Sequence, residues 1–321
     1  MNIGIISTGR MAGMAADTIS KMQETQCIAV ASRSIDKATE FAKEHNIERA
    51  YGSYSELLND KDVDLVYVAT PHSMHYDITI VALGKGKPCL VEKAFMANYR
   101  QSKEVIDLAR RNNVFVAEAM WTRYQPAVEM VREMMKCIGT IRLLSANIGY
   151  NMVWRKPKLL QPELCGGALM DVGVYGLNFV RMFCPEKVKE ISGLCTKSET
   201  GMDLSEVITL SLENDVLATI QATANATSSN RGVITGTEGF IVVDNINNPQ
   251  LISLYAPDRT LIEEQSVPKQ ITGYEYEFSK CGEAIKKGLT ESPYMPHSET
   301  LCIMQLMDNL RQQWDVRFPM D

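Results

Sequence analysis

The chain has 321 residues, 45% of them hydrophobic and 22% charged, with 20 Gly and 12 Pro. At roughly 100–200 residues per domain this describes about two globular domains, and it excludes a disordered or fibrous chain. Lys and Arg number 33 against 39 Asp and Glu, a net charge of −6, so nothing pulls the protein toward nucleic acid or anionic membranes. No apolar run approaches the roughly 20 residues that span a bilayer. Met1–Ile6 enters an apolar strand with no basic region or cleavage site, and a cytoplasmic location is expected. The cysteines at 27, 89, 137, 165, 184, 195, 281 and 302 form no C-x-x-C clip, and the histidines at 45, 72, 75 and 297 form no H-E-x-x-H. Neither a disulfide framework nor a metal site is expected.

In chain order, short β-branched runs alternate with charged helical stretches, the signature of βαβ units and a parallel sheet. Strands are predicted at Asn2–Ile6, Cys27–Ala31, Leu65–Ala69, Cys89–Glu92 and Val114–Ala117, with helices near 10–22, 35–45, 74–85 and 99–111 between them. Ser34 and Asn98 stand as N-caps. The rhythm changes at Met120, dividing the chain into 1–119 and 120–321. A helix near 125–136, a strand at Ile141–Ile148, a polar loop at 151–163 and an amphipathic helix at 167–183 come next. From 187 to 265 the pattern is successive strands with turns at Glu213–Asp215, Gly236–Gly239 and Asn247–Pro249, and two helices near 274–287 and 298–312 close the chain. The second half thus reads as an α+β domain with a large, mostly antiparallel sheet. Helices on one face of that sheet leave the other to be covered, so a homo-oligomer is expected, a dimer built sheet to sheet.

The first βα turn carries Ser7-Thr8-Gly9-Arg10-Met11-Ala12. Ser7, Gly9 and Ala12 stand where a dinucleotide fingerprint has its small residues, although Ser7 departs from the usual first glycine. Gly9 would let the backbone approach a pyrophosphate at the helix N-terminus. About 20 residues on, where NAD enzymes place an acid, the sequence reads Ser32-Arg33-Ser34. A guanidinium fork and hydroxyls suit a 2′-phosphate, which favours NADP over NAD.

Five motifs, in order and spacing, make the chain resemble the glucose-fructose oxidoreductase / inositol dehydrogenase (Gfo/Idh/MocA) family over essentially its whole length. They are the Ser-x-Gly-x-x-Ala loop, Ala69-Thr70-Pro71-His72-x-x-His75, Glu92-Lys93, Glu118-Ala119-Met120-Trp121-Thr122-Arg123-Tyr124 and Gly166-Gly167-Ala168-Leu169-Met170-Asp171-Val172-Gly173-Val174-Tyr175. The fourth resembles the branch that holds dimeric dihydrodiol dehydrogenase, also described as D-xylose dehydrogenase. The resemblance implies an α/β protein: a Rossmann NADP-binding domain over 1–119 and a substrate-binding and oligomerisation domain with an open sheet over 120–321. It implies oxidation of a secondary hydroxyl of a cyclic diol or aldose. It makes Lys93 the catalytic lysine, adds Asp171 and Tyr175 to the polar site, and sets His75, with His72 beside it, near the cofactor along with Thr70 and Glu92. Ala94 replaces the proline of the family's Glu-Lys-Pro, and Cys165 replaces the first glycine of its Gly-Gly-Gly.

The residues themselves point the same way. Asp171 and Tyr175 are i and i+4 on a predicted helix, about 40° apart, so one face presents both. Lys93 follows the fourth predicted strand, at a carboxyl end where open α/β sheets bind ligands. A hydroxyl that loses hydride must also lose a proton, which needs a base in reach. A neighbouring ammonium lowers a tyrosine pKa from near 10 by about one to three units. Two assignments stand: Tyr175 as proton acceptor with Lys93 as its activator and Asp171 as orienter, or Lys93 itself as the base. Trp121 and Tyr124 read equally as core aromatics or substrate contacts, and Arg123 and Arg155 are further candidates for substrate. Competing functions are an inositol or sugar-acid dehydrogenase, whose inositol-type members carry histidine where Tyr175 stands, and a non-catalytic NADP-binding sensor, which would need no proton acceptor.

Overall fold

A computed structural model describes residues 1–154 and 157–321 and divides them into two compact units, one comprising 1–124 and 270–301, the other 125–269 and 302–321. A single boundary after residue 119 does not contain this return of 270–301 to the first unit.

The first unit is a parallel sheet of β1 (Asn2–Ile6), β2 (Gln26–Ala31), β3 (Arg49–Tyr51), β4 (Leu65–Val68), β5 (Cys89–Glu92) and β6 (Val116–Ala119) in the order β3-β2-β1-β4-β5-β6. Its crossovers are α1 (Arg10–Ile19), α2 (Ile35–Glu44), α3 (Tyr54–Asn59), α4 (His75–Gly84) and α5 (Tyr99–Asn112). Helices on both faces explain the continuous apolar runs: every residue of β4, β5 and β6 is buried. The predicted caps form, with Ser34 Oγ accepting from Lys37 N at 3.5 Å and Asn98 Oδ1 from Gln101 N at 3.0 Å. Only β3 and α3 escape the sequence reading. The strand is three residues long, and the six-residue helix depends on a reciprocal cap between Ser53 and Glu56 rather than on periodicity. This is the strand order of a doubly wound dinucleotide fold, whose ligand crevice lies outside the carboxyl ends of β1 and β4, where the order reverses. The returning segment covers the β6 edge: Val116 N donates to Thr290 O at 3.0 Å, and the His297 ring lies 2.9 Å from Val116 O.

The second unit holds α6 (Ala127–Met135), β7 (Ile141–Gly149), a wide π-helical turn (Leu169–Gly173) running into α7 (Val174–Phe183), and β8 (Val188–Lys197) to β14 (Leu261–Ser266). Between these last two lie β9 (Asp203–Leu212), β10 (Leu217–Thr223), β11 (Gly232–Gly236), β12 (Phe240–Val243) and β13 (Leu251–Tyr255). With the returning helix Glu275–Lys286 counted as α8, the closing helix is α9 (His297–Trp314), from Cys302 onward in this unit. The strands form one sheet, β14-β13-β12-β11-β7-β10-β9-β8, antiparallel except where β7 and β10 run parallel. α7 packs close on one face, for a Cβ at Gly176 would meet Ile220 at 2.4 Å. Under it lie Leu144, Ala146, Ile208, Leu210, Ala218 and Ile220, all buried. The alternate residues point away from α7, and among them Leu143, Leu217, Val207 and Leu194 are 50%, 52%, 51% and 80% exposed.

Candidate active site

The carboxyl ends of β1, β2 and β4 gather the residues expected to hold a dinucleotide. Ser7 N donates to Ala31 O at 3.0 Å, tying the turn to β2, and Gly9 N donates to Ser7 Oγ at 3.1 Å. Ser7 has φ +128°, in the region glycine adopts without penalty, which is why the fingerprint usually has glycine here. α1 starts from extended Gly9 with neither a side-chain cap nor an acidic residue in its first turn, which leaves its positive end suited to an anion. Arg10 and Gly9 are exposed; Thr8 and Met11 are partly so. At the end of β2, Arg33 is exposed and no acid stands beside it, whereas the Ser34 hydroxyl is occupied in capping α2. Thr70 Oγ1, at the end of β4, is buried with no hydrogen-bond partner among the described residues. These residues fit a phosphorylated dinucleotide.

Lys93 directly follows β5, and of the run Cys89–Asn98 it alone is not buried. Its neighbours fix the backbone from below. The Lys93–Ala94 peptide is cis, with alanine where the family has proline. His72 Nε2 lies 3.2 Å from Lys93 O. His75 Nδ1 lies 3.2 Å and 3.0 Å from the carbonyls of Ala94 and Phe95, and its Nε2 lies 2.9 Å from that of Thr70. His75 is fully buried, and burial, with His72 nearby, holds its pKa down to about 4. The expectation that His75 binds cofactor is therefore corrected. A neutral ring with no surface cannot touch a ligand; it holds the chain that carries Lys93. Glu92 is buried as well and accepts a hydrogen bond from the Tyr67 hydroxyl.

Glu118 at the end of β6 is 1% exposed, and its Oε2 accepts from the Thr300 hydroxyl at 3.1 Å. Burial outweighs that bond and the nearby Arg123 and Lys93 charges and pushes the carboxyl from 4.5 up to about 7. A raised carboxyl pKa means the folded chain binds the proton more tightly, so its contribution is full below pH 4.5 and is lost as pH rises through about 7. At about 1.4 kcal/mol per unit, Glu118→Gln should raise stability at pH 8 by roughly 2–3 kcal/mol and leave it nearly unchanged at pH 4.5. Urea unfolding at the two pH values checks this, and equal effects at both would contradict it.

In the second unit, the run Cys165–Tyr175 forms the start of the α7 segment. Cys165 takes a left-handed conformation, φ +54°, where the family has glycine, and Gly167 has φ +112°. The turn from Leu169 to Gly173 is π-helical, not the regular helix expected. Its i to i+5 bonding puts more residues in each turn, which brings Asp171 and Tyr175 nearer to alignment than the 40° of an α-helix. Asp171 is half-buried and Tyr175 is 8% exposed.

The expected substrate contacts fare differently. Arg123 is 6% exposed and pairs with Glu299 at 3.2 Å. Trp121 stacks on Tyr274 with ring centroids 4.1 Å apart, and the buried Tyr124 donates to Glu118 O at 3.3 Å. All three side chains are buried in the first unit. Arg155 lies outside the described residues.

Residues 1–120 match the GFO/IDH/MocA family model, an oxidoreductase family with an NAD-binding Rossmann fold, and 124–242 match a C-terminal domain model of the same family. The chain is 34% identical over 326 residues to a trans-1,2-dihydrobenzene-1,2-diol dehydrogenase of Xenopus tropicalis, covering 98% of each chain. The chain belongs to the Gfo/Idh/MocA oxidoreductase family. The human trans-1,2-dihydrobenzene-1,2-diol dehydrogenase is 30% identical, over 99% of this chain and 98% of its own. Among solved structures, a 3-ketoreductase from Actinomadura kijaniata in complex with TDP-benzene and NADP superposes with TM-score 0.85 at 21% identity, covering 97% of this chain and 96% of that one. An aldose-aldose oxidoreductase from Caulobacter crescentus, complexed with glycerol, gives TM-score 0.88 at 18% identity, covering 98% and 97%. Both share the Gfo/Idh/MocA fold.

What sequence reasoning missed in this family member is the set of buried acids, Glu118 and Glu277 in the first unit and Asp203 and Glu206 in the second. Burial raises the carboxyl pKa of each, and for Glu277 the Glu92 charge adds to the effect. An acid in an otherwise apolar run, such as Glu118 in Val116–Ala119, is the one signal available in the sequence.

Proposed function

We propose that the protein is an NADP-dependent dehydrogenase that oxidises a secondary hydroxyl of a cyclic trans-diol or an aldose, its first unit binding cofactor and its second binding substrate. The observation that carries this reading is the 34% identity, over 98% of both chains, to a trans-1,2-dihydrobenzene-1,2-diol dehydrogenase. Arg33 at the end of β2, with no acid beside it, supports NADP over NAD. Bound NADP would supply the hydride acceptor, and the chain's residues handle the proton. Tyr175 accepts it from the substrate hydroxyl, Lys93 anchors that hydroxyl and favours the phenolate, and Asp171 orients them. The test is a panel of trans-dihydrodiols, aldoses, inositols and sugar acids followed by NADPH absorbance. Turnover confined to inositols or sugar acids would overturn the substrate assignment, and none with any member would favour a sensor.

The same reading makes the protein a homodimer of the cytoplasm, where thiols such as Cys89 and Cys281 stay reduced. On the sheet face away from α7, Leu143 pairs with Leu217 and Leu194 with Val207, two exposed apolar pairs that a sheet-to-sheet partner would cover. Sedimentation at micromolar concentration should give a dimer, and Leu194→Asp combined with Val207→Lys should give a folded monomer. A wild-type monomer would contradict this.

A further inference from the structure

The glycine-rich run before Tyr175 closes over two carboxyl groups that no step of the proposed reaction uses. Asp203 begins β9 and Glu206 follows three residues on; they are 1% and 3% exposed. Asp203 Oδ2 accepts from Leu169 N, the first residue of the π-helical turn, at 2.6 Å. A Cβ added at Gly167 would stand 2.2 Å from Asp203 Oδ1, and one added at Gly173 would stand 1.9 Å from Glu206 Oε1. The second contact is the more telling. Gly173 has an ordinary helical φ of −59°, so its backbone makes no demand for glycine, which costs about 1 kcal/mol against alanine in a helix. What it needs is room for Glu206. The two glycines thus bracket Asp171, four residues before it and two after, where the backbone comes down on the acids.

Burial, together with the Asp203 charge, holds the Glu206 carboxyl well above the usual range. Burial also raises that of Asp203, opposed by the backbone N–H groups it faces. On β8, Cys195 stands opposite Glu206 and Lys197 opposite Asp203. Burial pushes the Cys195 thiol up to about 11, and Lys197 Nζ donates to Asp315 O.

We propose that Asp203 and Glu206 are the positioning residues of the Gly167–Gly173 turn, fixing the angle at which Asp171 and Tyr175 leave it. The inference rests on the roles given above to those two residues. It is tested in the full-length protein with kcat normalised to NADP-binding sites, so that misfolded protein is not counted. Asp203→Asn and Glu206→Ala should each lower kcat about tenfold or more, as small misplacements of reacting groups do, with the dissociation constant for NADP within twofold of wild type. Glu206→Gln, which keeps the shape and the donor of a protonated carboxyl, should recover most of what Glu206→Ala loses. Gly173→Ala should lower kcat in the wild-type background and have little further effect in Glu206→Ala. Normal kcat in Asp203→Asn and Glu206→Ala, alongside a Tyr175→Phe variant that has lost turnover, would overturn the proposal and leave the reaction reading standing. Failure of Glu206→Gln to recover any loss would also overturn it. If Tyr175→Phe itself retains turnover, the reaction reading is what fails.

Discussion

Tyr175→Phe is expected to lower kcat by about two to four orders of magnitude, the usual worth of a positioned general base, while the dissociation constant for NADP stays near wild type. In the proposed reaction the hydroxyl removed acts in proton transfer, and Tyr175 is not among the residues proposed to hold the cofactor. Lys93→Met should be at least as damaging, because it removes both the charge that favours the phenolate and the anchor for the substrate hydroxyl. The double variant should be little worse than the worse single one, as residues acting as one unit are non-additive. Steady-state kinetics on the four proteins checks the set. Near-normal turnover in Tyr175→Phe would return the base to Lys93. The fully buried His75, its two ring nitrogens turned toward backbone carbonyls, is not an alternative.

Arg33→Ala should weaken NADP binding roughly tenfold to a hundredfold and leave NAD binding nearly unchanged. A charge-assisted hydrogen bond to a 2′-phosphate is worth about 1.5–3 kcal/mol, and every 1.4 kcal/mol is about tenfold in affinity. Ser32→Asp should shift preference toward NAD, since a carboxylate at the end of β2 accepts from a ribose hydroxyl and repels a phosphate. Fluorescence titration with both cofactors measures these changes. Equal losses for the two cofactors in Arg33→Ala would show that Arg33 does not read the phosphate.

Most of the first unit was legible in the sequence because both signals agree there. Buried strands such as Leu65–Val68 are continuous apolar runs, and the intervening helices begin at side-chain caps such as Ser34 and Asn98. The return of residues 270–301 was not legible, because it depends on long-range pairing such as Val116 N with Thr290 O, which leaves no local pattern. The motifs located Lys93, Asp171 and Tyr175, but a motif carries no burial. It therefore shows neither that His75 is fully buried against the backbone around Lys93 nor that Arg123 pairs with Glu299. The π-helical turn was equally hidden. The acids that meet it, Asp203 and Glu206, lie over 30 residues away, beneath glycines that read in sequence only as small residues.

Hydride transfer is the central claim, and isotope transfer tests it most directly. The enzyme would be incubated with NADP and a trans-dihydrodiol or aldose carrying deuterium on the carbon that bears the reacting hydroxyl, and the recovered NADPH would be weighed by mass spectrometry. The expected result is one deuterium per NADPH formed, with a slower rate than for the unlabelled substrate and no turnover in Tyr175→Phe. NADPH formed without deuterium, or no NADPH from any dihydrodiol or aldose, would contradict the assignment.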